Sequence, residues 1–155
     1  VITKTLHEFM TLNDLSGFQP LRMIINGSGG SGKSVVINTI VTVMRKMFNV
    51  NGVVKVAAPT GTAAFNVHGE TLHHLFGMGI SGEEYTPNAM NPTHRARLIQ
   101  KFKTVLALII DERSLMTSRN LGTAEQMLLE TIYDGGPFPQ KSWGGIPIVI
   151  MVGDD

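Results

Sequence analysis

The chain has 155 residues, 43% of them apolar, and 13 basic against 12 acidic side chains leave a formal charge of +1. That is enough apolar material for one good core and one domain, and it argues against disorder; no overall field draws the chain onto nucleic acid or an anionic membrane, so any such contact must be local. Cysteine is absent, which rules out disulfides, thiolate chemistry and cysteine-ligated zinc together.

In chain order, the opening VITKTLHEFM lacks the basic start and long apolar stretch of a secretory signal, and no apolar run is long enough to cross a bilayer. The chain is expected to be soluble. It opens on Val and stops at VGDD directly after an apolar run, so both ends are expected to be cut from something longer. The first strand is predicted at Leu21 to Ile25 (LRMII). A helix should follow over Ser34 to Met47, where Val36, Ile37, Ile40, Val41, Met44 and Met47 recur at helical spacing.

Further strands are predicted at Val53 to Ala58, Val105 to Ile110 and Ile146 to Val152. All four runs are apolar without clean alternation, as in strands covered on both faces of a parallel sheet. NPTHRARLIQKF and NLGTAEQMLLETIYDGG are predicted helices, the first with an Asn-Pro start and the second ending in glycines. GMGISGEEYTPNAMNP and DGGPFPQKSWGG are rich in Gly, Pro and polar residues and are predicted surface loops. Buried strands alternating with helices give an α/β fold with a mainly parallel central sheet.

Between the first strand and its helix lies NGSGGSGKS, Asn26 to Ser34. Gly27, four residues, then Gly32, Lys33 and Ser34 satisfy the GxxxxGK[ST] pattern of a phosphate loop. Glycines let successive backbone N–H groups turn into one anion-sized hollow, and the following helix adds its positive end. Gly27, Gly29, Gly30, Ser31, Gly32, Lys33, Ser34 and Val35 form the candidate nucleotide cradle, with Lys33 reaching the β- and γ-phosphates and Ser34 offering its hydroxyl to Mg²⁺. The alternative is a Gly/Ser linker carrying a lysine by accident, but a linker is not wedged between a buried strand and an apolar helix.

A phosphate loop needs a carboxylate partner. Asp111 and Glu112 follow the apolar strand LALII and should emerge at its carboxyl end, where open α/β sheets bind ligands. Asp111 is the candidate for holding Mg²⁺ through its water shell, and Glu112 for taking a proton from the attacking water. The competing reading is a solvated acidic turn.

The stretch AAPTGTAAFNVHGETLHHLF resembles the DNA-contacting motifs of superfamily 1 helicases of the petite integration frequency (Pif) family and of related Helitron helicases. The matching residues are Ala58, Pro59, Thr60, Gly61, Ala63 and Ala64, then Gly69, Thr71, His73 and Phe76. IIDERSLM and GGIPIVIMVGDD resemble that family's second and third motifs, with Asp154 in the Gly-Asp pair. The resemblance implies a P-loop NTPase of RecA-like, three-layer form: the first motor domain of an ATP- and Mg²⁺-dependent 5′-to-3′ DNA helicase, acting on single-stranded and forked DNA.

It further implies Asp154 as a nucleotide contact, Pro59, Thr60, Gly61, Gly69, Thr71, His73 and Phe76 as DNA contacts, and a second RecA-like domain supplying an arginine. Without that arginine the chain alone is expected to bind ATP–Mg²⁺ weakly, to turn it over very slowly and not to unwind DNA. The setting it implies is intracellular, nuclear or mitochondrial if the source is eukaryotic.

Other readings stand beside this one. Phe76, at helical spacing from Leu72 and Leu75, suits a core position as well as a base platform. His68, His73 and His74 cluster, but no carboxylate or thiol spacing completes a zinc site. As a whole, the chain also fits a P-loop NTPase without a DNA track, or a non-hydrolysing DNA-binding module. Arg113 and Leu115 depart from the residues usual beside Ser114 in the family's second motif. No adenine-recognising glutamine is evident, since Gln19 lies too close to the first strand.

Overall fold

The computed structural model describes residues 1–12, 17–79, 85–132 and 142–154. A first helix, α1 (Ile2–Thr11), precedes β1 (Leu21–Asn26) and α2 (Lys33–Phe48). Then come β2 (Val54–Ala58), α3 (Gly61–Asn66), β3 (Glu70–Thr71) and α4 (Leu72–Phe76). The remainder is α5 (Pro92–Phe102), β4 (Ala107–Ile110), α6 (Ser118–Ile132) and β5 (Ile148–Gly153).

The five strands form one parallel sheet in the order β1-β5-β4-β2-β3. Side chains alternate across it. Ala57, Leu108, Ile110 and Val149 face a core completed by α4, α5, α6 and Trp143. Val54, Val56, Ala107, Ile109, Ile148, Ile150 and Val152 face the other core, which Leu6 of α1 and Ile37, Val41 and Met44 of α2 complete. Helix, sheet and helix make three layers, the RecA-like form expected.

Local chemistry explains the helix starts. The Asn91 side chain accepts from the Thr93 N–H at 2.8 Å with Pro92 in the first turn, and Thr117 Oγ1 accepts from the Asn120 N–H at 3.1 Å. Among the described residues no helix is long and apolar enough to cross a membrane.

Several expectations need correction. α1 was not anticipated, although Ile2, Leu6 and Phe9 recur at helical spacing. β3 is two residues long and shows no period. β1 lies at the sheet edge and is covered on one face only: Leu21, Met23 and Ile25 pack on the core with α2, while Ile24 on the other face is 60% exposed. Along α2, Val36 and Met47 fit the period yet are exposed. The predicted loops fall partly on residues 80–84 and 133–141, outside the described residues. Ser142–Gly145 is a short 3-10 turn that buries Trp143, Gly144 and Gly145, so this end of the second loop belongs to the core rather than the surface.

Candidate nucleotide and nucleic-acid site

Because every strand runs the same way, all five carboxyl ends share one rim, and register makes that rim continuous. Asn26 lies beside Gly153, Met151 beside Ile110, Ile110 beside Ala57, and Ala58 beside Thr71. The glycine-rich loop, the acidic pair, Asp154 and the Pro59 to Phe76 segment all leave from these ends. Ligands of open α/β sheets gather there.

The loop begins with the Gly27 N–H donating to Gly153 O at 3.2 Å and tightens where the Ser31 N–H donates to Ser28 O at 3.1 Å. Gly30 and Gly32 hold φ of 76° and 89°, left-handed values that a side chain disfavours, and Gly32 is the N-cap of α2. Lys33 opens the helix. Its ammonium donates to Gly27 O, to Ser28 O at 3.1 Å and to Asp154 Oδ1. An ammonium has three N–H bonds, so all three are engaged within the protein. The Lys33 side chain is 12% exposed and that of Asp154 49%. Ser34 is exposed at the start of α2. Val35 is 68% exposed on the outer face of that helix, with Asn38, Thr39, Thr42 and Val43, so a share in the cradle would fall to its backbone.

Asp111 directly follows β4, its N–H donating to Ala57 O at 2.8 Å, and it is buried at 5% exposure. Burial pushes its carboxyl above the ordinary value; the Glu112 N–H, which donates to Asp111 Oδ1 at 2.9 Å, and Lys33 pull it down, while Asp154 pushes it up. Lys33, Asp111 and Asp154 are thus close enough to act on one another.

Glu112 adopts φ 51°, ψ 44°, a left-handed conformation costing about 1–2 kcal/mol in a residue with a side chain. Its carbonyl accepts from the Leu115 N–H at 3.0 Å as the chain turns away. Strain of this kind concentrates at functional positions. Arg113 does not simply face solvent: it donates to Asn26 Oδ1 at 2.8 Å, and its stem lies against Gly153. It thereby links the ends of β4, β1 and β5. Leu115 is 65% exposed.

In the second half of the rim, Thr60 caps α3 by accepting from the Ala63 N–H at 3.2 Å, and Thr71 caps α4 by accepting from the His74 N–H at 3.2 Å. Each hydroxyl keeps its own proton to donate. Pro59 and His73 are half-buried and Gly61 is exposed. Gly69 has a packing role: a Cβ there would lie 2.5 Å from the Val56 carbonyl oxygen.

Phe76 is the clear correction. It is fully buried and stacked on Phe102, with ring centroids 5.2 Å apart, and offers no face to a base. The same helical spacing that places Phe76 beside Leu72 and Leu75 turns it inward.

Glu70, beside Thr71, gathers Lys101 at 3.0 Å, His74 Nδ1 at 2.8 Å and Lys55 at 3.9 Å. Burial works to raise its carboxyl, but Lys101, His74 and Lys55 together hold it below the ordinary value. Among the described residues no three His, Cys, Asp or Glu side chains are grouped to hold a metal ion.

Sequence reasoning missed Glu70, the Arg113–Asn26 link and Phe65. Only the last had a usable signal: Ala64 and Val67, three apart, mark the inner face of α3 and leave Phe65 outside it. It is 79% exposed.

Residues 10–155 match the family model described as PIF1-like helicase. The ATP-dependent DNA helicase Pif1 of Psychrobacter is 30% identical over 128 residues, 83% of this chain and 18% of that protein. A crystal structure of the Bacteroides Pif1 helicase with ADP-AlF3 and single-stranded DNA superposes with a TM-score of 0.64 at 27% identity, covering 99% of this chain and 32% of that one. A structure described as showing DNA unwinding at forked duplex by two coordinating Pif1 helicases gives 0.63 at 27%, covering 99% and 33%. The chain thus spans less than a fifth of that Psychrobacter relative and about a third of these solved chains.

Proposed function

This chain belongs to the PIF1-like helicase family, and on that premise we propose that it is the first RecA-like motor domain of an ATP-dependent DNA helicase. The observation that carries the reading is the convergence of Lys33, Asp111 and Asp154 at the rim of a parallel sheet, beneath a phosphate-loop turn. A linker or a solvated acidic turn would not bring these three together.

In the proposed cycle the backbone amides of Gly29 to Ser34 hold the β-phosphate, and Lys33 exchanges a protein acceptor for the γ-phosphate. Glu112 orients and deprotonates the attacking water. The donor chemistry suits Mg²⁺, a hard cation that takes oxygen: the Ser34 hydroxyl and the Asp111 and Asp154 carboxylates leave from the same rim, and Asp111 is kept largely dry. When bound, Mg²⁺ would neutralise charge between the β- and γ-phosphates. Asp111 would hold the ion through its water shell, and Asp154 would accept from a water or from Lys33 according to nucleotide state.

The DNA track is proposed at Pro59, Thr60, Gly61, Thr71 and His73. There the Thr60 and Thr71 hydroxyls, fixed by their capping bonds, donate to backbone phosphates without adding charge. A second RecA-like domain would close on the nucleotide and supply the arginine. Alternation of closed and open clefts then advances the grip 5′ to 3′ along single-stranded DNA and at forks.

The test is Lys33→Ala. Labelled ATP should lose its binding while far-UV circular dichroism stays that of the parent; parent-level affinity in the variant would remove the phosphate-loop assignment and the motor with it. A P-loop NTPase without a DNA track is separated by titrating labelled oligo(dT), which it would not bind.

A further inference from the structure

Exposure and sequence position single out one aromatic side chain that the proposed cycle leaves idle. Phe65 is 79% exposed, and among the described residues no other phenylalanine or tryptophan is in the exposed class. A solvated benzyl side chain forgoes about 1.5–3 kcal/mol of burial, part of which contact with a flat ligand would recover.

Its position narrows what that is. α3 presents Ala64 to the core, with Val67 just beyond it, while Gly61, Thr62 and Phe65 are exposed. Gly61 and Phe65 are four apart and therefore share a face, and a helical side chain leans toward the amino end, over the turn before it. Gly61 puts no side chain on that face, and a Cβ built there would meet nothing within 4 Å, the Phe65 ring included. The result is a flat aromatic face beside an open space.

Charge favours one occupant. From residue 15 to residue 69 the chain contains no Asp or Glu, so the segment that carries α3 offers no carboxylate to repel a phosphate backbone. The next carboxylate, Glu70, is already ringed by Lys101, His74 and Lys55. A polyanion approaching α3 meets no uncompensated negative group of this segment.

We propose that Phe65 is a base-stacking platform: a base of single-stranded DNA lies on its ring, in the space above Gly61, while the adjoining backbone passes Thr60. This rests on the DNA track proposed above and gives it an aromatic element that Phe76, sealed in the core, does not provide. Stacking on a π-face tolerates any base, which suits a track read without sequence preference.

The test measures labelled oligo(dT) binding by the full-length protein and its Phe65 variants. Phe65→Ala and Phe65→Leu should each weaken binding by about 5- to 150-fold, the effect of losing one base–aromatic stack, with the salt dependence unchanged because no phosphate contact is removed. Phe65→Tyr should bind like the parent. Phe65→Trp should do the same, and its added emission should be quenched on binding. Parent-like affinity in Phe65→Leu would overturn the proposal, because an apolar contact without stacking would then suffice. A melting temperature lowered by Phe65→Ala without DNA would also overturn it, placing the ring in a packed protein contact. If the parent binds oligo(dT) and every variant matches it, the platform alone falls; if the parent binds none, the DNA track falls and takes the platform with it.

Discussion

Replacing Phe76 tests the division between core and DNA surface most directly. Its ring is fully buried between α4 and α5 and stacked on Phe102 at 5.2 Å. Truncation to alanine removes the stack and most of the buried side chain, a change that costs about 3–5 kcal/mol in well-packed cores. For a chain of this size each kcal/mol lowers Tm by about 2–4 °C, so Phe76→Ala should melt about 6–20 °C below the parent.

Leucine is the sharper probe because it keeps an apolar side chain and gives up the ring. The lost aromatic pair is worth about 0.5–1.5 kcal/mol and reshaping of the site up to about 1.5 kcal/mol, so Phe76→Leu should melt about 1–12 °C low. Thermal melts followed by circular dichroism give the stability. Fluorescence anisotropy with labelled oligo(dT), well below the variant's Tm, gives the affinity, which should be unchanged. A Phe76→Leu protein with the parent's Tm and a fivefold or greater loss of DNA affinity would refute the reasoning and return Phe76 to the interface.

Three further substitutions probe the charges at the rim. Asp111 has its carboxyl raised, so between the ordinary 3.8 and the raised value the folded state holds more protons than the unfolded one, and stability falls as pH rises through that window. Asp111→Asn should therefore melt higher than the parent at pH 7 in EDTA, converge with it below pH 3.8, and lose nucleotide hydrolysis. Glu70 has the opposite sign: its carboxyl sits below the ordinary 4.5, so its stabilisation is present above that pH and fades as pH falls through the depressed value. Glu70→Gln should lower Tm at pH 7 and flatten the acid limb of the Tm–pH curve. Asp154→Asn weakens the hold on the Lys33 ammonium, so labelled ADP measured in EDTA should bind more tightly, while turnover falls; unchanged ADP affinity would mean that the ion pair does not compete with phosphate.

What the sequence made legible follows from how locally each feature is encoded. The phosphate loop, the acidic pair and four of five strands are written in contiguous residues, and the structure places them within one or two positions of expectation. β3 escaped because two residues have no period, and it becomes a strand only by pairing with Ala57 and Ala58. Trp143 escaped because Gly144 and Gly145 read as loop, although a turn can carry a large side chain inward. The two phenylalanines show the same limit from the other side. Both stand in apolar helical segments, and what separates them is which face of a short helix meets the sheet. Ala64 and Val67 fix that face for α3, Leu72 and Leu75 for α4, and a motif match cannot see it. The Glu112 backbone, turned left-handed beneath its own N–H to Asp111 bond, was not legible at all, since nothing in Asp-Glu-Arg requires it.

On the proposed reading, nucleotide chemistry and DNA grip need a mechanical connection, and the sheet order would supply a short one. β2 lies between β4 and β3, so the strand that feeds Thr60 is bonded on one side to the strand bearing Asp111 and on the other to the strand bearing Thr71. The Asp111 N–H to Ala57 O bond is the last rung before both loops diverge. On the nucleotide side, Lys33 has committed all three donors, so a γ-phosphate can be accepted only if Gly27 O, Ser28 O or Asp154 gives up its share. Ser28 O is the exposed, neutral acceptor and the least costly to release, whereas Asp154, 49% exposed, is the charged partner whose place a phosphate would take. Asp154 follows Gly153, against which the stem of Arg113 lies while its guanidinium holds Asn26. On that reading, a shift at Asp154 would reach the Asp111–Glu112 turn through packed backbone, and the Asp111 N–H to Ala57 O bond would connect it to β2 one strand away. Close-packed interiors pass such displacements on instead of absorbing them. On the proposed reading, that places the phosphate-driven exchange at Asp154 two strands of the sheet from the Thr60 hydroxyl.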